Sequence, residues 1–267
     1  MYRKILLASV GVIGLTGSAA FAADLPYRAP PPVYLPPPPI FTWTGIYIGG
    51  QIGYGWARDN ASLFGTDAVV GDFNTADLSS RPQGVIGGAH VGYNYQINQW
   101  VFGLEGSVDG TSLNRSRVSP IFDNNTGASD IVGSNVRSDI QGSIRGRLGV
   151  AWDRALLYAT GGVAFGGFNT SYADPNGFLT GVPGATDSFS QTRVGWTAGG
   201  GIEYAITNNW SVRAEYRYTD FGTFTDAPFA GTGAAFTAQH HWTQNQVQAG
   251  FSYRFDMFNP YPVVAKY

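Results

Sequence analysis

From Trp43 onward, apolar and polar residues alternate with a period of two, and no stretch keeps the spacing of a helix. A period of two places successive side chains on opposite faces of a β-strand. No internal run approaches the ~18 consecutive apolar residues of a membrane-spanning helix, so the chain is expected to be all-β. Eight segments carry the alternation: 44–56, 84–96, 100–109, 139–152, 156–168, 192–206, 210–220 and 242–255.

The spacing of these segments predicts how the strands connect. Three separators are short, at 97–99, 153–155 and 207–209. Four others are long and rich in Gly, Ser, Asn, Asp and Thr, at 57–83, 110–138, 169–191 and 221–241. Short turns that alternate with long loops indicate an up-and-down meander with an even number of strands. The prolines after residue 39 are expected in the loops or at a strand border, where no ladder donor is lost.

The two faces of the predicted strands decide which side points outward. The apolar faces carry no charged residue, and the only lysines, Lys4 and Lys266, lie outside the strands. A soluble barrel would carry lysine and glutamate on its polar face, whereas a membrane barrel turns its apolar face to lipid. Trp43 and Trp242 fall on the opposite face and stay unexplained. Aromatic residues form two belts typical of membrane interfaces: Tyr93, Tyr95, Trp100, Trp152, Tyr204, Trp210 and Tyr253 at the short-turn end, and Tyr54, Trp56, Trp196 and Tyr218 at the other.

The ends of the chain have a different composition from the strands. Residues 1–22 combine a basic start, an apolar stretch and an Ala-x-Ala site, which predicts a secretory signal peptide. Residues 23–42 form a proline-rich periplasmic leader, either a flexible segment or a docking peptide. The barrel is expected at 43–255, and 256–267 form a C-terminal tail. A net charge of −2 argues against nucleic-acid binding, and the absence of cysteine excludes disulfides and thiolate sites.

Several stretches are similar to a known family: DLPYRAPPP, WTGIYIGGQIGYGW, GVIGGAHVGYNYQ, RGRLGVAWDRALLYATGGVAFG, GIEYAITNNWSVRAEYRYTDFG and VQAGFSYRF. The chain resembles the small outer-membrane β-barrels of alphaproteobacteria, the outer-membrane immunogenic or porin-family proteins, which are relatives of the OmpA-type barrel. The resemblance implies an eight-stranded up-and-down antiparallel transmembrane β-barrel in the Gram-negative outer membrane, with antigenic surface loops. It implies no catalytic residues.

Charged residues on the polar face are the main candidates for function. The interior of an eight-stranded barrel is just wide enough to be filled by side chains, so charges there are expected to pair and close the lumen. The alternative is a charged lining for a narrow diffusion pore. The predicted lumen charges are Glu105, Arg145, Arg147, Glu203, Arg213, Glu215 and Arg217.

Other chemistry is weakly supported by the sequence. His90 is expected in the lumen, and His240 and His241 in the last long loop. Adjacent residues of an extended segment point apart, so this pair predicts no metal site, and no cofactor is expected. Loop acids such as Asp109 and Asp174 are expected to solvate the loops, and the less favoured alternative is that they bind divalent cations. A lipid-modifying enzyme is a third hypothesis, but the required Ser or His with an orienting carboxylate cannot be assembled.

The last strand carries a predicted assembly signal. Gln248, Gly250, Tyr253 and Phe255 resemble the polar-x-Gly-x-x-aromatic-x-aromatic pattern of final barrel strands, which would be recognised by the barrel-assembly machinery. Further expected partners are outer-membrane lipid and lipopolysaccharide, and host or envelope components that contact the loops. Both termini are expected in the periplasm, because outer-membrane barrels keep their short turns on that side.

Overall fold

The computed structural model describes residues 41–67, 71–123, 127–230 and 235–255. The predicted signal peptide, the tail and nearly all of the proline-rich leader lie outside these residues. Within them, no helix is long and apolar enough to cross a membrane. The described chain is instead built from nine strands: β1 (Gly45–Asp67), β2 (Gly71–Asp77), β3 (Gln83–Ile97), β4 (Trp100–Asp123), β5 (Ser129–Trp152), β6 (Ala155–Asp174), β7 (Ala185–Ala205), β8 (Trp210–Asp226) and β9 (Ala235–Arg254).

The strands form a closed ring of antiparallel pairs. Neighbours in sequence pair with each other, except β2 and β3, which each pair with β1 and β4 instead. The last strand returns to the first and pairs with it from Tyr47↔Arg254 to Thr66↔Ala235. β2 and β3 both pair with β1, in the same register from Gly45 to Gly65, so together they fill one position in the ring. The ring therefore has eight members, which confirms the expected eight-stranded up-and-down antiparallel barrel.

The strands extend much further than their sequence pattern predicts. The seven long ones other than β3 contain 17 to 24 residues, and most of the predicted long loops are strand. The expectation that 110–138 is a loop is wrong, because β4 continues to Asp123 and β5 starts at Ser129. His240 and His241 likewise lie in β9 rather than in a loop. Pro120 lies inside β4 opposite Ile131, not at a strand border.

The missed strand ends have a physical cause, which is that the long strands exchange their apolar and polar faces part-way along. Below Trp56, that is towards the short-turn end of the barrel, the outward residues of β1 are apolar. The inward residues there are small or polar, as a lipid-facing barrel requires. Beyond Trp56, towards the β1–β2 connection, the outward residues Arg58, Asn60 and Ser62 are polar, and Phe64 is an exposed apolar exception. The buried inward residues there include Ala57, Ala61 and Leu63. A strand predicted from one continuous apolar face therefore ends at the level where the surroundings change from lipid to water.

Three clusters of buried apolar residues fill different levels of the interior. The first, at the short-turn end, contains Trp43, Val101, Ala151, Leu156, Tyr158 and Ala205. The second, above the aromatic belt, contains Ala57, Ile86, Leu113, Val136, Ala164, Phe168, Phe221, Phe224 and Trp242. The third, at the end opposite the short turns, includes Leu63, Leu78, Ile121, Val132, Phe229 and Phe236. Trp43 and Trp242 are core residues of the first two, which explains their place on the inward face.

Candidate functional site: a buried charge network

Arg145 is at the centre of the charged side chains in the membrane-level interior. The strand pleat of β5 turns it inward, and its side chain has no solvent exposure. One terminal nitrogen lies 2.5 Å from Glu105 Oε1, and the other lies 2.5 Å from Glu215 Oε1. Arg145 therefore links carboxylates that project from two different strands, β4 and β8.

Each of these two glutamates has further donors. Glu105 accepts hydrogen bonds from Arg213 at 2.6 Å and from the Tyr47 hydroxyl at 2.9 Å. Glu215 accepts hydrogen bonds from Arg217 and from the Tyr158 hydroxyl, both at 3.0 Å. Charged hydrogen bonds of this kind are about twice as strong as neutral ones, which offsets the cost of removing the ions from water.

A second ion pair lies nearer the short-turn end. Arg147 bonds to Glu203, which also accepts a 2.5 Å hydrogen bond from the Ser211 hydroxyl. The Arg147 guanidinium lies 3.7 Å from the centre of the Tyr158 ring, a distance suited to a cation–π contact. All seven predicted lumen charges are thus brought together inside the barrel.

Asp109 belongs to the same group, although the sequence analysis assigned it to the loops. It accepts a 2.6 Å hydrogen bond from Gln51 and lies 3.6 Å from Arg217. With Asp109 the cluster holds four arginines and four carboxylates, so its formal charge is zero. The sequence did contain a signal for this position, because Asp109 follows Glu105 and Ser107 at alternate residues and so shares their strand face. We refer to these eight residues as the interior charge network: Glu105, Asp109, Arg145, Arg147, Glu203, Arg213, Glu215 and Arg217.

A ladder of glutamine side chains extends from this network towards the second apolar cluster. Gln248 donates to Glu215 at 3.2 Å, Gln246 donates to Gln248 at 3.2 Å, and Gln244 donates to Gln246 at 3.0 Å. These residues are inward positions on β9. Hydrogen bonds therefore connect the charged side chains to a row of glutamine amides. The last of these, Gln244, is two residues from Trp242 on the same inward face.

Two of the three histidines, His90 and His240, are buried in different surroundings. His90 points into the barrel as expected, and its ring nitrogens contact Gln51 and, at 2.9 Å, the Ser252 hydroxyl. His240 is buried, not in a loop, and lies 3.0 Å from Asp59. Its other nitrogen lies 2.7 Å from the Tyr172 hydroxyl.

The polar group around His240 lies above the aromatic belts, between the second and third apolar clusters. The Tyr172 hydroxyl donates to Asp226 at 3.1 Å. Burial, and then the negative charge of Asp226, raise the pKa of Tyr172 well above its usual value. Among the described residues, no group of three or more His, Cys, Asp or Glu side chains is arranged to hold a metal ion.

Asp174 has a structural role that the sequence analysis did not predict. It is fully buried, and its carboxylate accepts hydrogen bonds from the backbone N–H groups of Phe178, Leu179 and Thr180. The expectation that it solvates a loop is wrong, because it holds the β6–β7 connection in shape.

The predicted assembly residues occupy the last strand, which closes the ring against β1. Gln248 and Gly250 are on its inward face. Tyr253 packs edge-on against Trp210 and Phe255, with ring centres 5.1 Å apart in both cases. The aromatic pair thus lies at the short-turn end of the seam between the first and last strands.

The family profile described as outer membrane protein beta-barrel domain matches residues 41–255, which is most of the chain. The chain belongs to this family. This membership and the closed ring identify it as an integral β-barrel of the bacterial outer membrane.

Curated relatives agree with this assignment. The 31 kDa outer-membrane immunogenic protein of Brucella melitensis is 33% identical over 82% of this chain and 88% of its own length. The 25 kDa outer-membrane immunogenic protein of Brucella abortus is 28% identical over 95% and 98% of the two lengths. Among solved structures, the outer membrane protease OmpT from Escherichia coli covers 80% of this chain and 98% of its own, with 10% identity and a TM-score of 0.45.

The charge network generates a stability prediction. Glu215→Ala leaves Arg145 and Arg217 without their shared carboxylate, so we expect the barrel to lose roughly 3–5 kcal/mol of unfolding free energy. Urea unfolding of protein refolded into lipid vesicles measures this loss. Asp139→Ala is the control, because Asp139 forms an exposed pair with Arg137 and such pairs contribute about 0–1 kcal/mol. Equal losses for the two variants would contradict the role of the network.

Proposed function

We propose that this barrel is a closed structural and surface-displaying protein of the outer membrane, not a diffusion pore and not an enzyme. The observation that carries this proposal is the filled interior. From the short-turn end to the opposite end, the interior is filled in order by the first apolar cluster, the interior charge network, the second apolar cluster, the polar group around His240 and the third apolar cluster. A porin-like channel would need a continuous water-filled lumen instead.

The burial of the charges argues against the pore alternative. A selectivity lining attracts ions because its charged groups face water in the channel. Here the Arg145, Glu105 and Glu215 side chains are at most 1% exposed and bond to one another. Their fields are largely cancelled at short range, so the network is better suited to hold the strands together than to attract ions.

The two histidine groups argue against the enzyme alternative. Ser252 and His90 are within hydrogen-bond distance, but the group that orients His90 is the amide of Gln51, not the carboxylate that a catalytic triad uses. His240 has a carboxylate partner, Asp59, yet neither side chain is exposed to solvent. Neither histidine is placed where a lipid substrate would reach it.

The surface role rests on the names of the relatives and on the fold. The two Brucella relatives are outer-membrane immunogenic proteins. We infer that this chain likewise displays its hairpin tips to the outside, where host or envelope components would contact them. Lipid and lipopolysaccharide surround the wall of the barrel, and nucleic acid is not among the proposed partners.

Electrical recording tests the closed lumen directly. Refolded protein in a planar bilayer is expected to show at most small and rare openings, because buried side chains occupy several levels of the interior. The fraction of folded protein is checked by its heat-modifiable gel mobility. A steady conductance of general-porin size from the folded fraction would overturn the proposal.

The proposed orientation places both termini and the short turns in the periplasm. Proteolysis of intact cells is then expected to cut near 123–129 and 174–187, in the β4–β5 and β6–β7 connections. The short turns at 97–99, 153–155 and 207–209 should be spared until the outer membrane is permeabilised. Mass spectrometry of the fragments locates the cuts, and cleavage restricted to the short turns would reverse the orientation.

We also propose that Gln248, Gly250, Tyr253 and Phe255 form the signal read by the barrel-assembly machinery. Phe255→Ser is expected to send the protein to periplasmic degradation, because the final aromatic residue of the pattern is lost. Deletion of 256–267 should leave assembly intact. Immunoblots of outer-membrane fractions distinguish the two, and the reverse pair of results would retire the idea.

A further inference from the structure

The barrel wall is open along one stretch above the aromatic belt. β4 pairs with β3 as far as Gln83 and with β2 again at Thr75, both in the same register. Between these points, residues 76–82 and 115–121 run side by side without ladder pairing, although 78–82 remain bonded to β1. We call this opening the β2–β4 cleft. Unpaired strand edges do not occur against hydrocarbon, so the cleft belongs in the headgroup region or beyond it.

Arginines line the cleft from both sides. Its volume is about 540 Å³, and besides the arginines it is lined by one carboxylate and four neutral polar residues: Asp77, Asn60, Ser79, Ser80 and Ser116. In contrast, the outward positions of β6 to β9 above the belt carry no arginine or lysine among the described residues. The positive charge is therefore concentrated on one side of the barrel, where the cleft is lined by Arg58, Arg81, Arg115 and Arg117.

Most of this charge has no partner among the residues that the structure describes. Arg117 lies 3.4 Å from Asp77 and also donates to the Ser79 carbonyl oxygen. Arg58, Arg81 and Arg115 form no ion pair and no side-chain hydrogen bond with any residue in the described part of the chain. Like charges held together without a counterion repel one another, and a bound anion would relieve that repulsion.

The height of the cleft points to the kind of anion. Arg58 follows Trp56 of the upper aromatic belt by two residues on the same outward face, a rise of about 7 Å. Aromatic belts mark the level of the lipid headgroups, and phosphates lie just beyond the acyl chains there. Guanidinium groups match phosphate oxygens in geometry, and the apolar wall below Trp56 would contact acyl chains.

The geometry points to the β2–β4 cleft as a binding site for the phosphorylated headgroup of an outer-leaflet glycolipid. Arg58, Arg81 and Arg115 would contact the phosphate oxygens, while the acyl chains lie along the outward face of β1 and β3. The choice of leaflet rests on the orientation proposed above. A soluble polyanion is less favoured because it would not use the apolar wall.

Native mass spectrometry of the refolded chain in detergent tests this site. The probes are bis-phosphorylated lipid A and its dephosphorylated form. Each arginine near an anionic lipid surface contributes about fivefold in affinity, so Arg58→Gln/Arg115→Gln should weaken the lipid A adduct by about 25-fold. The control Arg137→Gln/Arg154→Gln removes the same charge elsewhere and should bind like the unaltered protein. The dephosphorylated lipid should give no stable adduct.

Several results would overturn the assignment. They are equal binding of the two lipids, equal loss in the two double variants, or binding of a soluble heparin fragment through the cleft without binding of lipid A. If the double variant does not fold, Arg81→Gln alone gives the same comparison with about a fivefold loss. Adduct formation in detergent is independent of orientation, so failure of the proposed orientation would appear only in the proteolysis of cells.

Discussion

The interior of an eight-stranded ring is just wide enough to be filled by side chains, and its outer wall meets two solvents in succession. In lipid the outer face must be apolar, so the polar residues are confined to the interior. In the aqueous layer beyond the headgroups the reverse arrangement is favourable, because the hydrophobic effect drives apolar side chains inward. The long strands satisfy both conditions by exchanging their faces near Trp56. The upper half of the barrel therefore resembles a soluble protein with its own apolar core.

The membrane-level interior must solve a different problem, since polar groups there are cut off from water. Eight charges balance to zero, and Arg145 joins the two central glutamates at 2.5 Å each. Tyrosine, serine and glutamine side chains satisfy further acceptors. Such a network is stable as a set and fragile to the loss of one member, because each remaining ion would be buried without a partner. It links β4, β5 and β8 to one another inside the barrel.

The lipid-facing half of each strand could be predicted from the sequence, because there the alternation keeps one phase. The upper half could not be found in that way, since its apolar residues lie on the opposite face. Trp242 was the visible clue, an aromatic on the wrong face that is in fact a core residue. Asp109 was missed at the end of a predicted strand. The β2–β4 cleft forms where β4 loses its pairing partner between β3 and β2. No local pattern in the sequence predicts the position of such a gap.

The exchange of faces is tested most directly by single-cysteine accessibility, because the chain has no native cysteine. On β9, Ala249→Cys should react only with a maleimide dissolved in lipid, and Gln239→Cys should react with a water-soluble one. Ala238→Cys and Ser252→Cys, both on the inward face, should react with neither while the protein is folded. A lipid-only reaction at residue 239 would contradict the exchange. A water-soluble reaction at the inward positions would show an open lumen.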